Sequence, residues 1–330
     1  MKRAFWIVLG TLIVIVIAFV ATYQARPQVF APHFFEAVDR LDGGTKVAFF
    51  GDQGYGEDAQ AVLRLVKAEK VDLVLHLGDF EYLDRPDLWR EQIAGVLGDD
   101  VPYLALLGNH EEAQWEGYKA EVNDLMGKIE GLECEGDIAV DISCHFKNIH
   151  FVLSTTGLLS EKIGDARNLS HVKFVKDHFA SSTDDWRVCG WHKNQHKMQM
   201  GSKGDEVGWD IYEACREEGA MIATGHEHSY SRTYLLSDMS EHTVATTTSP
   251  FVFKEGVAMA FVSGIGGKSV RPQGQATGAW WDSVYTSLNN AKPGALFCTF
   301  GSTTDPKKGK CEFKNIAAET IDSFEIVSGY

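Results

Sequence analysis

The sequence predicts an α/β protein with one main domain, and three observations predict it. Short apolar runs alternate with amphipathic stretches from Lys46 onward, the last hundred or so residues are mostly strand-like, and no linker, low-complexity tract or internal repeat interrupts the chain after its N-terminus. Apolar patterns of period two and period 3.6 that follow one another indicate a sheet flanked by helices. With 330 residues, 44% of them hydrophobic and 23% charged, the chain can build a sizeable core.

Taken in order, Met1, Lys2 and Arg3 precede an apolar run from Ala4 to Ala21, broken only by Gly10 and Thr11. The run's 18 residues match one bilayer crossing. A cleaved signal peptide has a shorter apolar core and a small-x-small exit, which Ala18 and Ala21 match poorly. Segment 1–21 is therefore read as an uncleaved signal-anchor, with a cleaved signal peptide as the alternative. Either way Lys2 and Arg3 stay in the cytoplasm, and the rest lies on the periplasmic or extracellular side, membrane-anchored or secreted. Residues 22–44, with Pro27, Pro32 and Gly43-Gly44, read as a tether, and residues 45–330 as the main domain.

Within that domain the patterns predict strands at Lys46–Phe50, Val71–Leu77 and Val101–Leu107, separated by helices at Asp58–Lys70 and Pro86–Leu97 and followed by a helix at Ala113–Ile129. Strands at Asp137–Ser143 and Ile149–Ser154, a helix at His171–Ala180, a strand at Arg187–Trp191, a helix at Val207–Glu218 and a strand at Ala220–Thr224 come next. Strands at Val257–Ser263, Ala295–Phe300 and Ser323–Val327 complete the pattern, so the second half of the sheet is expected to be mixed or antiparallel.

Six cysteines fit an oxidising compartment. Cys134 with Cys144 and Cys298 with Cys311 bracket short strand-and-turn stretches and are expected to pair, whereas Cys189 and Cys215 read as buried thiols. The 31 basic and 46 acidic residues give a formal charge of −15, which repels polyanions and argues against nucleic acid as a partner.

Polar residues fall directly after the apolar strands: Gly51-Asp52, Gly78-Asp79, Gly108-Asn109-His110 and Gly225-His226. In α/β sheets the site forms at the carboxyl ends of strands, and glycine there lets the backbone turn sharply while the next side chain enters the crevice. With Val188-Cys189-Gly190-Trp191-His192 and Gly225-His226-Glu227-His228 included, the chain offers carboxylates, an amide oxygen and imidazoles. That donor set suits hard-to-borderline metals such as Fe, Zn and Mn. A turn is the commoner meaning of each piece alone; five such pieces, each at a strand end, indicate a metal centre.

These blocks resemble the motifs of the calcineurin-like metallophosphoesterases over about residues 46–265. Most members carry Asp-x-His in the first block, where this chain has Asp52-Gln53-Gly54. The second block, Gly78-Asp79-Phe80-Glu81-Tyr82, resembles the purple acid phosphatase form, in which tyrosine replaces that histidine ligand. The last block, Gly225-His226-Glu227-His228-Ser229-Tyr230-Ser231-Arg232, is also similar to the family's. The resemblance implies a four-layer α/β/β/α sandwich with two mixed sheets. It also implies Asp52, Tyr82 and His228 on a first metal, expected as Fe(III), with Asp79 bridging to a second. Asn109, His192 and His226 would hold that second metal, an Fe, Zn or Mn in the divalent state.

By the same resemblance, metal-activated hydroxide attacks the phosphorus of a small phosphorylated substrate, expected to be a phosphomonoester. His110 protonates the leaving oxygen or clamps the phosphate. A phosphodiesterase or nucleotidase using the same metals, and a non-catalytic membrane-tethered binding protein, are the alternatives. The run His192-Lys193-Asn194-Gln195-His196-Lys197 departs from the family's proline-containing continuation and lacks its later substrate-contacting histidine. His196 and Lys193, with Lys197, are candidates to bind phosphate instead; a solvated basic loop is the other reading.

Gly264-Ile265-Gly266-Gly267-Lys268-Ser269 lacks the glycine that a nucleotide-binding P-loop requires at position 262, where Val262 stands, and is expected at the rim of the site. Trp280 and Trp281 are candidates for a substrate mouth or, by default, for core packing. His33, His76, His145, His150, His171, His178 and His242 have no partner at ligand spacing in the sequence.

Overall fold

A computed structural model describes residues 43–98 and 101–330, so the signal-anchor expected at 1–21 and all but the end of the tether lie outside the described residues. Among the described residues, no helix is long and apolar enough to cross a membrane.

The strands are β1 (Thr45–Phe50), β2 (Leu73–Leu77), β3 (Tyr103–Leu106), β4 (Leu132–Asp137), β5 (Asp141–Phe146), β6 (Ile149–Ser154), β7 (Trp186–Trp191), β8 (Met221–Thr224) and β9 (Tyr230–Thr233). After them come β10 (Leu235–Asp238), β11 (Thr243–Thr246), β12 (Phe251–Phe253), β13 (Met259–Ser263), β14 (Trp281–Tyr285), β15 (Gly294–Phe300), β16 (Lys308–Asn315) and β17 (Thr320–Ser328). The helices are α1 (Glu57–Ala68), α2 (Pro86–Leu97), α3 (Trp115–Met126), α4 (Ala166–Phe179) and α5 (Asp210–Glu217).

Two mixed sheets result. The first runs β12-β17-β16-β15-β1-β2-β3 and the second β14-β9-β13-β8-β7-β6-β5-β4, with β10-β11 as a separate small ribbon. β1, β2 and β3 pair in parallel at one end of the first sheet, whose middle strands β1, β15, β16 and β17 pair antiparallel, whereas β6, β7, β8 and β13 form a parallel centre in the second sheet with antiparallel flanks. The sheets face each other through aromatic contacts: Phe49 meets Phe261 edge-on at 5.4 Å and Tyr230 stacks on Phe313 at 4.0 Å. Helix α1 buries Ala59, Val62, Leu63 and Val66, a stripe at spacings of three and four residues. With α2 and α3 it covers the first sheet, while α4 and α5 cover the second through a separate cluster that includes Val175, Phe179, Ile211 and Ile222.

Some expectations need correction. Cys189 and Cys215 are not free thiols but form a disulfide across 6.3 Å between their Cα atoms. Packing α5 onto β7 brings the two together, and their 26-residue separation hides this in the sequence. The pairs Cys134–Cys144 and Cys298–Cys311 form as expected, each directly opposite in an antiparallel ladder. The strand expected at Asp137–Ser143 is two strands with a turn between: Val140 returns its backbone N–H to the Asp137 carbonyl at 2.9 Å, and the Asp137 side chain caps the Ala139 amide. The Asn109-His110-Glu111 block forms a 3₁₀ turn ahead of α3 rather than leading straight into the helix.

Candidate metal centre

The predicted ligands converge where the carboxyl ends of β1, β2, β3, β7 and β8 meet. Asp52, Asp79, Tyr82 and His226 all have positive φ, at 55°, 57°, 64° and 69°. Non-glycine residues rarely accept this conformation, and its recurrence at one place marks a strained, functional cluster. The glycines beside them allow the close approach. A Cβ on Gly108 would lie 2.3 Å from Asp79 Oδ1, and one on Gly225 would lie 3.0 Å from Asp52 Oδ2.

Asp79 stands between two groups of donors. Its Oδ1 lies 3.1 Å from His192 Nε2, which is itself 3.1 Å from His226 Nδ1. One ligating atom from each of these three residues falls within 4.8 Å of the others. Its Oδ2 lies 3.2 Å from the Tyr82 hydroxyl, which also meets Asp52 Oδ1 at 2.9 Å and His228 Nε2 at 3.2 Å. Six of the seven predicted ligands are thus linked through one buried carboxylate. The seventh, Asn109, follows Gly108, and its Oδ1 is buried without a hydrogen-bond partner.

Each imidazole is oriented by its other nitrogen. His192 donates Nδ1–H to the Leu77 carbonyl at 2.7 Å, His228 donates Nδ1–H to the Ser269 carbonyl at 2.8 Å, and His226 donates Nε2–H to Glu206 at 2.7 Å. Fixing one nitrogen as a donor leaves the other, once deprotonated, as a lone-pair acceptor aimed inward, the outer arrangement that metal-binding histidines show. Asp52 and Asp79 are buried without a lysine or arginine ion-paired to them among the described residues. Burial works to raise Asp79, but the charge of His192 outweighs it and holds the carboxyl below its ordinary range. Burial and then the charges of Asp52 and Asp79 push the Tyr82 phenol well above its ordinary value. An orphaned amide oxygen, inward-facing imidazoles and buried carboxylates with no lysine or arginine to balance them fit cations as the missing partner.

His110 sits at the mouth, half exposed, with its ring centroid 4.2 Å from that of Tyr82 and its backbone amide donating to Asp79 Oδ1 at 3.0 Å. Lys193 and His196 do not join the cluster directly. Lys193 pairs with Glu206 at 3.2 Å and reaches the centre through it, while His196 bonds the Lys203 carbonyl through Nδ1 at 2.5 Å. His196 and Lys197 line a groove of about 520 Å³ with Trp280, whereas Trp281 is buried. The glycine-rich loop does form the rim. The Lys268 amide donates to the Asp52 carbonyl, and its ammonium group lies 4.3 Å from the centre of the Tyr82 ring.

Sequence reasoning missed Glu111, Glu206, Lys203 and Arg271. Glu111 accepts the amides of Asp79, Phe80 and Gly108, and Lys203 and Arg271 both donate to the His226 carbonyl, at 2.5 and 3.1 Å. Glu111 closes the third of the recognised blocks, which was a usable signal. The other three lie in segments with no pattern of their own.

Two mixed sheets with this cluster at their shared strand ends define an α/β protein of the phosphoesterase class. A family model described as "Calcineurin-like phosphoesterase" matches residues 45–230, more than half of the sequence, and the chain belongs to that family. Members of the family bind divalent metals, which the donor set accommodates.

Among solved structures the fold is similar to that of the purple acid phosphatase PPD1 from yellow lupin (Lupinus luteus) seeds. The TM-score is 0.67 at 18% identity, covering 88% of this chain and 55% of that one. It is also similar to GAP50, the anchor in the inner membrane complex of Plasmodium (TM-score 0.57, 12% identity, 88% and 90% covered). PhoD is a third (TM-score 0.52, 13% identity, 84% and 66% covered). The chain therefore spans about half the length of the lupin enzyme. No curated protein matches the sequence significantly.

Proposed function

We propose that the chain is an exported phosphomonoesterase with a two-metal centre. The carrying observation is Asp79, whose two oxygens face separate donor groups, His192 with His226 and Tyr82 with Asp52 and His228. A carboxylate so shared is what two adjacent cations require. Asn109 completes the second group, and Tyr82 in place of a histidine favours Fe(III) in the first, with Fe, Zn or Mn in the divalent state in the second.

When bound, the metals supply Lewis-acid polarisation of a phosphoryl group and acidify water. The protein's own residues do the rest. His192, His226 and His228, each tied by its outer nitrogen, keep the donors from swinging away. His110, half exposed beside Tyr82, is positioned to give a proton to the leaving oxygen. Lys203, Arg271 and Lys268 bring positive charge to an otherwise acidic chain and favour an anionic substrate there. Export is supported by three disulfides and the apolar N-terminal run, which would tether the domain to the membrane.

The test is to purify the full chain, count its metals and compare an aryl phosphate monoester with the corresponding diester across pH. At least two metal equivalents with faster monoester hydrolysis support the reading. A faster diester reaction would replace the substrate class, and absence of hydrolysis with metals bound would overturn the enzymatic reading.

A further inference from the structure

The antiparallel corner β4-β5-β6 carries a second cluster of metal-type donors. His145 on β5 lies directly opposite His150 on β6, and Glu133 on β4 lies directly opposite His145. Directly opposed residues put their side chains side by side on one face of the sheet, and the two imidazoles stack with centroids 4.0 Å apart. Asp184, from the connection between α4 and β7, reaches the same place and meets His145 Nδ1 at 2.7 Å. One nitrogen of each histidine and a carboxylate oxygen of Asp184 all lie within 4.8 Å of one another.

His150 supplies the second observation. It is 1% exposed, its Nε2 is engaged with Ser143 Oγ at 2.7 Å, and its Nδ1 is buried with no hydrogen-bond partner. A buried ring nitrogen left unpaired is costly and seldom kept without a reason. Arg187, a fixed cation near His150, is already committed to Glu218 at 3.2 Å and lies over the Tyr330 ring. A cleft of about 240 Å³, which Glu133, His145, His150 and His178 help to line, gives access from solvent.

We propose that His145, His150 and Asp184 form a separate binding site for a borderline divalent cation of the zinc class, with Glu133 or water as the fourth ligand. Two imidazoles and a carboxylate are a donor set that zinc takes in tetrahedral geometry. Zinc–nitrogen bonds of about 2.1 Å would draw the donors to roughly 3.4 Å apart, which side-chain rotation on a rigid ladder can provide. The ion would clamp the edge of the second sheet to the α4–β7 connection. This inference does not depend on the phosphoesterase reading.

The experiment is a titration of the chelator-stripped full chain with Zn²⁺ and, as a spectroscopic probe, Co²⁺, beside His145→Gln and Asp184→Asn. Both substitutions are at partly exposed positions and leave the buried His150 in place. The expected result is one equivalent fewer in each variant, loss of the tetrahedral Co²⁺ absorption it contributes, a smaller rise in Tm on adding Zn²⁺, and unchanged hydrolysis of an aryl phosphate. Equal stoichiometry and affinity in wild type and both variants would overturn the site and leave His145–Asp184 as a plain ion pair.

Discussion

Glu111 accepts the backbone amide of Asp79 at 2.9 Å, and the same carboxylate also holds Phe80 at 2.8 Å and Gly108 at 2.6 Å. One fully buried side chain thus ties the loop after β2 to the loop after β3 and sets the strained backbone of Asp79. Burial and then the charge of Asp79 push its carboxyl up to about 8. Glu111→Ala would leave three buried amides without acceptors and should cost about 2–3 kcal/mol or more. Denaturant midpoints should show this, with Glu111→Gln, which keeps one acceptor oxygen, less affected.

Tyr82 touches Asp52, Asp79 and His228 through its hydroxyl, in surroundings that strongly oppose its ionisation unless a cation is close. A chain loaded with Fe(III) should therefore show a visible phenolate-to-iron band. Tyr82→Phe should lose that band and keep its fold, as read by absorption and circular dichroism. Iron-loaded wild type without colour would refute the assignment of Tyr82 to that metal.

Lys203 donates to the carbonyl of His226, and burial, with help from Arg271, lowers it to about 8. The ammonium form that attracts an anion is present below that value and is lost as pH rises through it. KM for an aryl phosphate should rise above about pH 8. In Lys203→Met it should be raised about tenfold already at neutral pH, with a smaller change in kcat.

His171 is fully buried between Asp141 at 2.7 Å and Glu161 at 2.8 Å. Burial opposes its charge, but the two carboxylates prevail and raise it to about 9, from 6.5. Its stabilising contribution is complete below about pH 6.5 and is lost as pH rises through 9, at most about 3 kcal/mol. Tm should fall across that window in wild type and fall less in His171→Gln, which cannot gain the charge.

Much of the site was legible because its donors occupy strand ends, where Gly51-Asp52 and Gly78-Asp79 announce themselves by following apolar runs. The exchange of a histidine for Gly54 also explained the presence of Tyr82. What sequence spacing could not reveal are contacts made by packing between distant elements. Cys189 meets Cys215 only once α5 lies on β7, and Glu206 meets His226 only once the loop after β7 folds back. His145 and His150 have no partner at ligand spacing along the sequence, yet a tight antiparallel turn places them directly opposite each other. The strand drawn through Ile138, Ala139 and Val140 failed for a related reason, since apolar residues there fill a turn.

The most direct test of a shared two-metal centre is the metal content and aryl phosphate hydrolysis of Asp79→Ala beside wild type. At least two metal equivalents in wild type, loss of at least one of them in the variant and a fall in kcat/KM of roughly 100-fold or more are predicted. A variant that keeps the wild-type metal content and hydrolyses at the wild-type rate would contradict the account.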